Sequence, residues 1–515
     1  MPETVQVPDF LWFLQANSAA IGPQLQLVAW GLGILLADSL FPDYRIKGKI
    51  GVLSFVFHGK QLAALFAAVG LIMASIHLYV LRLAGTGSAF FDMVSLDSFS
   101  LFFSALFLLS ALVAVFISYN YLNVEKEQHS EYYALILFAT AGMMFMAAAI
   151  DLVTIFVGLE LMSISIYILV GFLRNQRRSN EAAMKYFLLG TFATAIILYG
   201  MSLLYGIAGT TNLDRIGAEI ASQGGRNPLV IVALFMLMAG LCFKIAAAPF
   251  HMWAPDAYEG APTAVTGFMS VAVKAAAFAI FLRIFIVVFA QVRDLYMPVL
   301  AIISMVTMTW GNVSALTQQN VKRMLAYSSI SHAGFVLMGL VAGTEAGVTA
   351  SIIYLLIYTF MNLGIWTVVI LLRREDIPGE QVDDFSGLFF KRPGIAVLML
   401  IFLLSLAGIP PLAGFIAKYF VFASVVQVAL TPGAPFAKLM AWLAVVGVMN
   451  AVVSLYYYFR IVVAMFMRKE YLPAPLSFSW GIAVSLAITA VFTVLIGIWP
   501  QPFIDLARLA SMPLV

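Results

Sequence analysis

The sequence predicts an all-α polytopic membrane protein of about fourteen transmembrane helices, two of them broken. Composition is the first observation behind this reading: of 515 residues, 63% are hydrophobic and only 10% charged, and the mean hydropathy is +1.00. Soluble domains carry about 25% charged residues. The second observation is the repeated apolar stretch near the ~20 residues that a helix needs to cross a bilayer. The third is a set of lysines inside such stretches. The run 228–248 carries a single charge, Lys244; the run 263–282 carries one, Lys274; and Lys418 repeats the pattern. A charge at the bilayer centre costs roughly 3 kcal/mol or more. A chain that accepts this cost several times is built to move charge.

In chain order, apolar length places spans at 24–41, 62–83, 98–119, 132–150, 151–173, 182–207 and 228–250. They continue at 263–285, 297–316, 326–343, 347–372, 395–424, 438–466 and 478–499. The fourth and fifth run nearly together at Asp151, which predicts a tight turn. Basic residues cluster after odd-numbered spans: Arg45, Lys47, Lys49 and Lys60; Arg174, Arg177 and Arg178; Lys322 and Arg323; Arg373 and Arg374; Lys391 and Arg392; Arg468 and Lys469. The opposite loops hold single charges such as Arg215, Arg226 and Arg293. The positive-inside rule puts the clusters on the cytoplasmic side and both termini on the outer side. The whole of 1–515 reads as one membrane domain, with no loop large enough to form a soluble one.

Two segments interrupt the helical pattern. APFHMWAPDAYEGAPTAV (248–265) follows Lys244 and contains Pro249, Pro255, Gly260 and Pro262, with the polar side chains of His251, Asp256 and Glu259. SLAGIPPLAGFIAKYF (405–420) places Gly408, Pro410, Pro411 and Gly414 ahead of Lys418. Proline removes a backbone donor and breaks the helix. Non-helical backbone at membrane depth survives only inside protein or beside water. One interrupted helix in each half, each with a lysine, points to a transporter built from inverted repeats. These are placed at 132–285 and 297–466, after N-terminal helices within 1–131 and before a C-terminal helix at 478–499.

Glu160 lies near the middle of the fifth span, where a carboxylate is functional by default and is either protonated or paired. Lys185 lies early in the sixth span and has two readings, a snorkelling surface charge or a step of a charge path. Lys274 is flanked by alanines, which allow close helix approach. His332 sits among Tyr327, Ser328, Ser329 and Ser331, and is as readily a helix tie as a proton relay. Arg460, at the end of YYYFR, reads as a snorkelling residue. A carboxylate beside a buried lysine favours the ammonium, and withdrawing it lets the lysine release its proton. A row of such groups, linked by histidine and water, is a switchable proton wire.

Cys242 is the single cysteine, so this chain offers no disulfide framework and no cysteine-held metal or iron–sulfur site. Gly224 and Gly225 punctuate a loop, and no Gly-rich nucleotide fingerprint follows a strand. No cofactor is therefore expected in this chain, and no nucleic-acid partner; its evident surroundings are the lipid bilayer. The first residues, with Glu3 and Asp9 and no basic stretch, predict no cleavable signal peptide.

The segments DLVTIFVGLELMSISIYILVGF (151–172), RSNEAAMKYFLLG (178–190), FKIAAAPFHMWAPDAYEGAPTAVTGF (243–268), NVKRMLAYSSISHAGFVLMG (320–339) and SLAGIPPLAGFIAKYF (405–420) resemble the antiporter-like membrane subunits of respiratory complex I, in particular the subunit N family of NADH–quinone oxidoreductase. The likeness runs from about residue 20 to 500. DAYEGAP is its most specific piece and sets it apart from subunits M and L and from cation/proton antiporter subunits. Lys418 stands where subunit M has a glutamate, and Ala264 replaces a proline often found at its place. The resemblance implies fourteen helices with two inverted five-helix repeats. It also implies a proton path through Glu160, Lys185, Lys244 and Lys274 toward Lys418, with His251 and His332 as weaker candidates for relays. NADH, FMN, iron–sulfur clusters and quinone then belong to other subunits of a complex in a bacterial inner membrane, where subunit M and the small subunit K are neighbours. Two other readings stand beside it. One is a subunit of a secondary cation/proton antiporter; the other is a membrane scaffold, against which the cost of four buried charges argues.

Overall fold

The structure, a computed structural model, describes residues 17–40, 45–50, 53–85, 87–225, 227–373, 379–468 and 479–514. Glu3, Asp9, Arg226, Arg374 and Lys469 lie outside the described residues, as do the side chains of Arg45, Lys47, Lys49 and Lys60.

Six helices open the chain: α1 (Gly22–Leu40), α2 (Gly59–Ala84), α3 (Ser98–Glu125), α4 (Ser130–Ala148), α5 (Leu152–Val170) and α6 (Arg177–Ala208). A short surface helix, α7 (Leu213–Ser222), follows. The first broken crossing is α8 (Pro228–Lys244) with α9 (Trp253–Gly260). Next come α10 (Thr263–Val288), α11 (Arg293–Leu316), α12 (Val321–Ala342) and α13 (Glu345–Leu372). The second broken crossing is α14 (Pro393–Ala407) with α15 (Ala413–Leu430), and α16 (Ala437–Met467), α17 (Trp480–Ile498) and α18 (Gln501–Ser511) complete the chain. Thirteen helices among the described residues are long and apolar enough to span a bilayer, with Pro228–Lys244 and Pro393–Ala407 as shorter apolar pieces. Joining each broken pair gives the fourteen crossings read from the sequence. Crossings four to eight and nine to thirteen form two sets of five, each with its fourth member broken. Five is odd, so the second set starts from the opposite face and is inverted relative to the first.

The helices begin where side chains satisfy the first backbone donors, a requirement that lipid makes strict. Asp151 caps α5 by accepting from Val153 N at 2.8 Å, which forms the tight turn after α4. Asp97 forms a reciprocal capping box with Ser100 at the start of α3. Asn227, Asn320, Thr344 and Ser479 cap α8, α12, α13 and α17. Helices α10, α12 and α13 form the interior and are almost wholly buried, while α1, α16 and α17 are mostly exposed and form the rim.

Charge separates the two faces. Arg178, Glu259, Arg323, Arg373 and Glu380 meet in one ion network, so the ends of α6, α9 and α12 and the loop after α13 share a face. That is the parity read from the basic loops. On the opposite face Arg283, 4% exposed, binds Asp97 at 3.0 Å and the Ala147 carbonyl at 3.0 Å. Arg293 caps the end of α12 through the carbonyls of Ala342 and Gly343.

Several elements differ from the sequence reading. The seventh span stops at Lys244 rather than 250, and the twelfth divides at 408–412 and runs on to Leu430. Two antiparallel hairpins, Arg45–Ile50 with Leu53–His58 and Gly87–Ala89 with Val94–Leu96, sit between spans that length alone identified. Helices α7 and α18 were also unread, because ten or eleven residues fall below bilayer length; α7 instead buries Leu213, Ile216 and Ile220 on one side.

Small residues set the closest crossings. A β-carbon on Gly142 of α4 would come within 2.6 Å of the Met162 nitrogen and 2.7 Å of the Gly158 carbonyl on α5. Gly142→Val should therefore separate these helices and cost about 2 kcal/mol, the usual scale of overpacking. Thermal unfolding in detergent should show a clear loss. Gly206→Ala, where an added β-carbon meets nothing within 4 Å, should show none.

Candidate functional site along the buried lysines

Among the described residues three buried lysines stand apart from the ion network at the face, each 4 or 5% exposed and each bound to neutral oxygen. Lys244 ends α8 and donates to Ser163 Oγ on α5 at 2.9 Å. Its ammonium stands 6.0 Å from the centre of the Tyr167 ring. Lys274 donates to the Ser329 carbonyl at 2.7 Å and to Ser329 Oγ at 2.5 Å, both on α12. It directly follows a widened turn of α10 over Met269–Val273, of the kind that recurs at functional positions. Lys418, on α15, donates to the Ala407 carbonyl at 2.8 Å and lies 5.2 Å from the Phe335 ring centre. That carbonyl ends α14. Gly408 follows it in the left-handed region at φ +87°, which glycine adopts without strain.

His332 is within electrostatic reach of the last two lysines. Its Nδ1 is 2.7 Å from Tyr354 Oη and its Nε2 is 3.1 Å from Tyr458 Oη. Tyr458 is in turn bonded to Ser328. A neutral imidazole offers one donor and one acceptor, and each tyrosine hydroxyl can play either part. The row Ser328–Tyr458–His332–Tyr354 can thus be polarised in either direction.

Glu160 is half-buried on α5, one turn before Ser163. It acts electrostatically on Lys244 and Tyr167. Among the described residues it makes no direct ion pair: Ser163, not the carboxylate, is in contact with the lysine, and Glu160 acts on Lys244 only through space. Lys185 is 45% exposed and pairs with Glu181 and Asp256, both at 2.9 Å. It therefore belongs to the ion network at the face. His251 sits in the turn between α8 and α9 with its ring 5.6 Å from that of Trp310. The grouping of His251 with Asp256 and Glu259 is not what the structure shows. Both carboxylates turn to Arg323, each at 2.9 Å, while the imidazole faces α11. Arg460 caps α11 through the Leu316 carbonyl at 2.7 Å and Gln319 at 2.8 Å.

Of the oxygen partners, Ser328 and Ser329 stand out in the sequence as the polar patch around His332. Ser163 does not, although three residues after Glu160 on a helix is the same side. Tyr354, Tyr458 and Glu380 carry no local signal, since they reach the site from distant helices or a loop. Among the described residues no three His, Cys, Asp or Glu side chains are grouped to hold a metal. Three separated amines, each hydrogen-bonded to neutral oxygen, with a histidine in electrostatic reach of two of them, can take up and pass protons.

The face network centres on Glu380, 6% exposed, which meets Lys322 at 3.4 Å and Arg178 and Arg373 at 3.6 Å. Burial opposes its ionisation, but Lys322, Arg178 and Arg373 outweigh it and hold the carboxyl below the usual carboxylate range. A depressed folded value stabilises the fold at pH above the unfolded value, and this contribution is lost as pH falls through the folded one. Thermal melts in detergent should therefore show stability declining as pH drops below about 4.5, with no such decline between pH 5 and 8 from this group. Glu380→Gln should cost about 3 kcal/mol at pH 7, as expected when a buried pair loses one partner. It should also flatten part of the acid limb.

The family model described as "NADH:quinone oxidoreductase/Mrp antiporter, TM" matches residues 149–444. NADH-quinone oxidoreductase subunit N 2 of Solibacter usitatus (strain Ellin6076) is 48% identical over 503 residues, covering 97% of this chain and 99% of that protein. A chain of respiratory complex I from Thermus thermophilus, solved with bound aureothin, superposes with a TM-score of 0.76 at 31% identity, over 94% of this chain and 99% of that one. A chain of the Mrp complex from Dietzia sp. DQ12-45-1b superposes with a TM-score of 0.79 at 21% identity, over 96% and 97% of the two chains, a likeness of fold alone. With the family model matching more than half of its length and near-half identity extending along almost all of it, the chain belongs to the NADH:quinone oxidoreductase/Mrp antiporter family, among its NADH–quinone oxidoreductase subunit N members.

Proposed function

We infer that this chain carries protons as a membrane subunit of an NADH–quinone oxidoreductase, driven by electron transfer from NADH to quinone in other subunits. One observation carries the reading: three buried lysines on separate helices, each held by neutral oxygen rather than a carboxylate. Such an amine can lose its proton without leaving a paired anion stranded.

The path begins with Glu160 and Lys244, continues to Lys274, crosses His332 and ends at Lys418. Lys185 stands at the face where protons are taken up, and His251 beside the first break is a secondary relay. Ionised Glu160 favours the Lys244 ammonium; neutralising the carboxylate releases that proton toward Lys274. The two five-helix sets, 132–285 and 297–466, act as the two halves of the device. FMN, iron–sulfur clusters, NADH and quinone are held by partner subunits, so the chain alone oxidises no NADH. Subunit M and the small subunit K are its neighbours in a bacterial inner membrane. The ion-network face is cytoplasmic and both termini are periplasmic, by the distribution of basic loops. A secondary cation/proton antiporter subunit would share the fold; the 48% identity to a subunit N protein favours the first reading.

Reconstitution of the assembled complex in vesicles with a pH-sensitive dye tests this. Lys244→Ala should assemble, because the span becomes more apolar, yet lower coupled turnover by about tenfold or more. Lys244→Arg should not rescue, because a guanidinium stays charged with a pKa above about 12. Normal pumping by the arginine variant would refute a proton-releasing role. Glu160→Gln should likewise assemble and pump poorly; a wild-type rate would make Glu160 structural.

A further inference from the structure

We propose that Trp253 is a positioning residue for Lys244, pinning the two halves of the first broken helix together, and that Thr307 holds the turn between them from the second half of the chain. The proposal rests on the reading of Lys244 given above.

Helix α8 ends at Lys244, and the chain then turns through Ala246, which lies in the left-handed region at φ +59°, to reach α9. The break leaves polar backbone groups deep inside the protein, and each needs a partner. The carbonyl of Phe243, next to Lys244, accepts from Ala246 N at 3.0 Å and from Trp253 Nε1 at 2.9 Å. Trp253 is the first residue of α9. Its indole N–H therefore bridges the break one residue away from the lysine.

The ring itself is fixed. It stacks on Tyr186 of α6 at 4.3 Å with a 13° interplanar angle. Tyr186 packs edge-on against Tyr167 at 4.7 Å, and Tyr167 is the ring beside the Lys244 ammonium. Trp253, Tyr186 and Tyr167 thus form one aromatic wall drawn from α9, α6 and α5. Glu160, also on α5, is the charged group that acts on Lys244.

The turn is held from elsewhere. Ala248 N donates to Thr307 Oγ1 at 2.9 Å, and Thr307 is fully buried on α11. The break is thereby tied to the first helix of the second set of five. Losing either bond lets α9 shift against α8 and changes the cage around Lys244, without removing a group that touches the proton.

The test uses the whole complex in vesicles, with NADH-driven proton uptake followed across pH. Trp253→Phe keeps the stacking ring and deletes the N–H. It should assemble at wild-type level, pump roughly 3- to 10-fold more slowly, as misplacement of a reacting group does, and move the pH profile by half a unit or more. A purely structural role would lower the amount of complex and leave the profile in place. A wild-type rate and profile would overturn the proposal. Thr307→Val, nearly isosteric, is judged by the same profile should the tryptophan variant fail to assemble. Lys244→Ala run in parallel separates the two ideas. If it abolishes pumping while Trp253→Phe changes nothing, only the positioning role fails; if it pumps normally, the proton-carrying reading fails with it.

Discussion

Much of this architecture depends on the cost of placing an ammonium group in a bilayer. Each buried lysine meets that cost with neutral oxygen from another segment of the chain: a serine hydroxyl, a serine carbonyl with its hydroxyl, or a carbonyl at a helix end. Lys418 binds the Ala407 carbonyl, which is free because α14 ends there. Lys244 sits at the last residue of α8, against the other break. Lys274 follows the widened turn of α10 and takes its oxygens from α12. Each of these three lysines thus lies beside an irregularity of the backbone.

The distribution of carboxylates follows the same logic. Glu125, Asp256, Glu259 and Glu380 are spent on arginines and lysines at one face, where the network ties five parts of the chain together. Inside, among the described residues, Glu160 is the carboxylate that acts on one of the three lysines, Lys244, and it does so without an ion pair. A lysine locked to a carboxylate would have to break a strong pair before releasing a proton. Serine and carbonyl ligands stabilise the ammonium less, and leave it free to change state. The structural charges and the functional ones are therefore separated in space.

Apolar length made the helices legible, and proline and glycine made the two breaks legible, because both signals are local. Insertion cost marked Glu160, Lys244, Lys274 and Lys418 for the same reason. What sequence did not give was direction. Lys185 and Lys274 both lie in apolar runs, yet one faces outward into a salt bridge and the other inward to Ser329. His251 and Asp256 are five residues apart and turn to different partners. Which way a side chain points depends on helix rotation, and rotation is set by long-range crossings such as that of Gly142 and Gly158. The hairpins and short surface helices escaped because nothing in apolar length speaks for them.

Inversion of the two halves has a consequence for α12. It packs against α9, the second part of the first broken helix, and against α15, the second part of the other. Lys322, at its first turn, binds the Ala261 carbonyl and Glu380 in the face network. Ser329, seven residues on, lies two helical turns above it on the same side and holds Lys274. His332 follows three residues later, bonded to Tyr354 and Tyr458 and within electrostatic reach of Lys418. One side of one helix therefore runs from the ion network to the middle of the lysine row and touches both broken crossings. The two halves are therefore joined through the polar side chains along α12, beside the Thr307 bond from α11 to the first break.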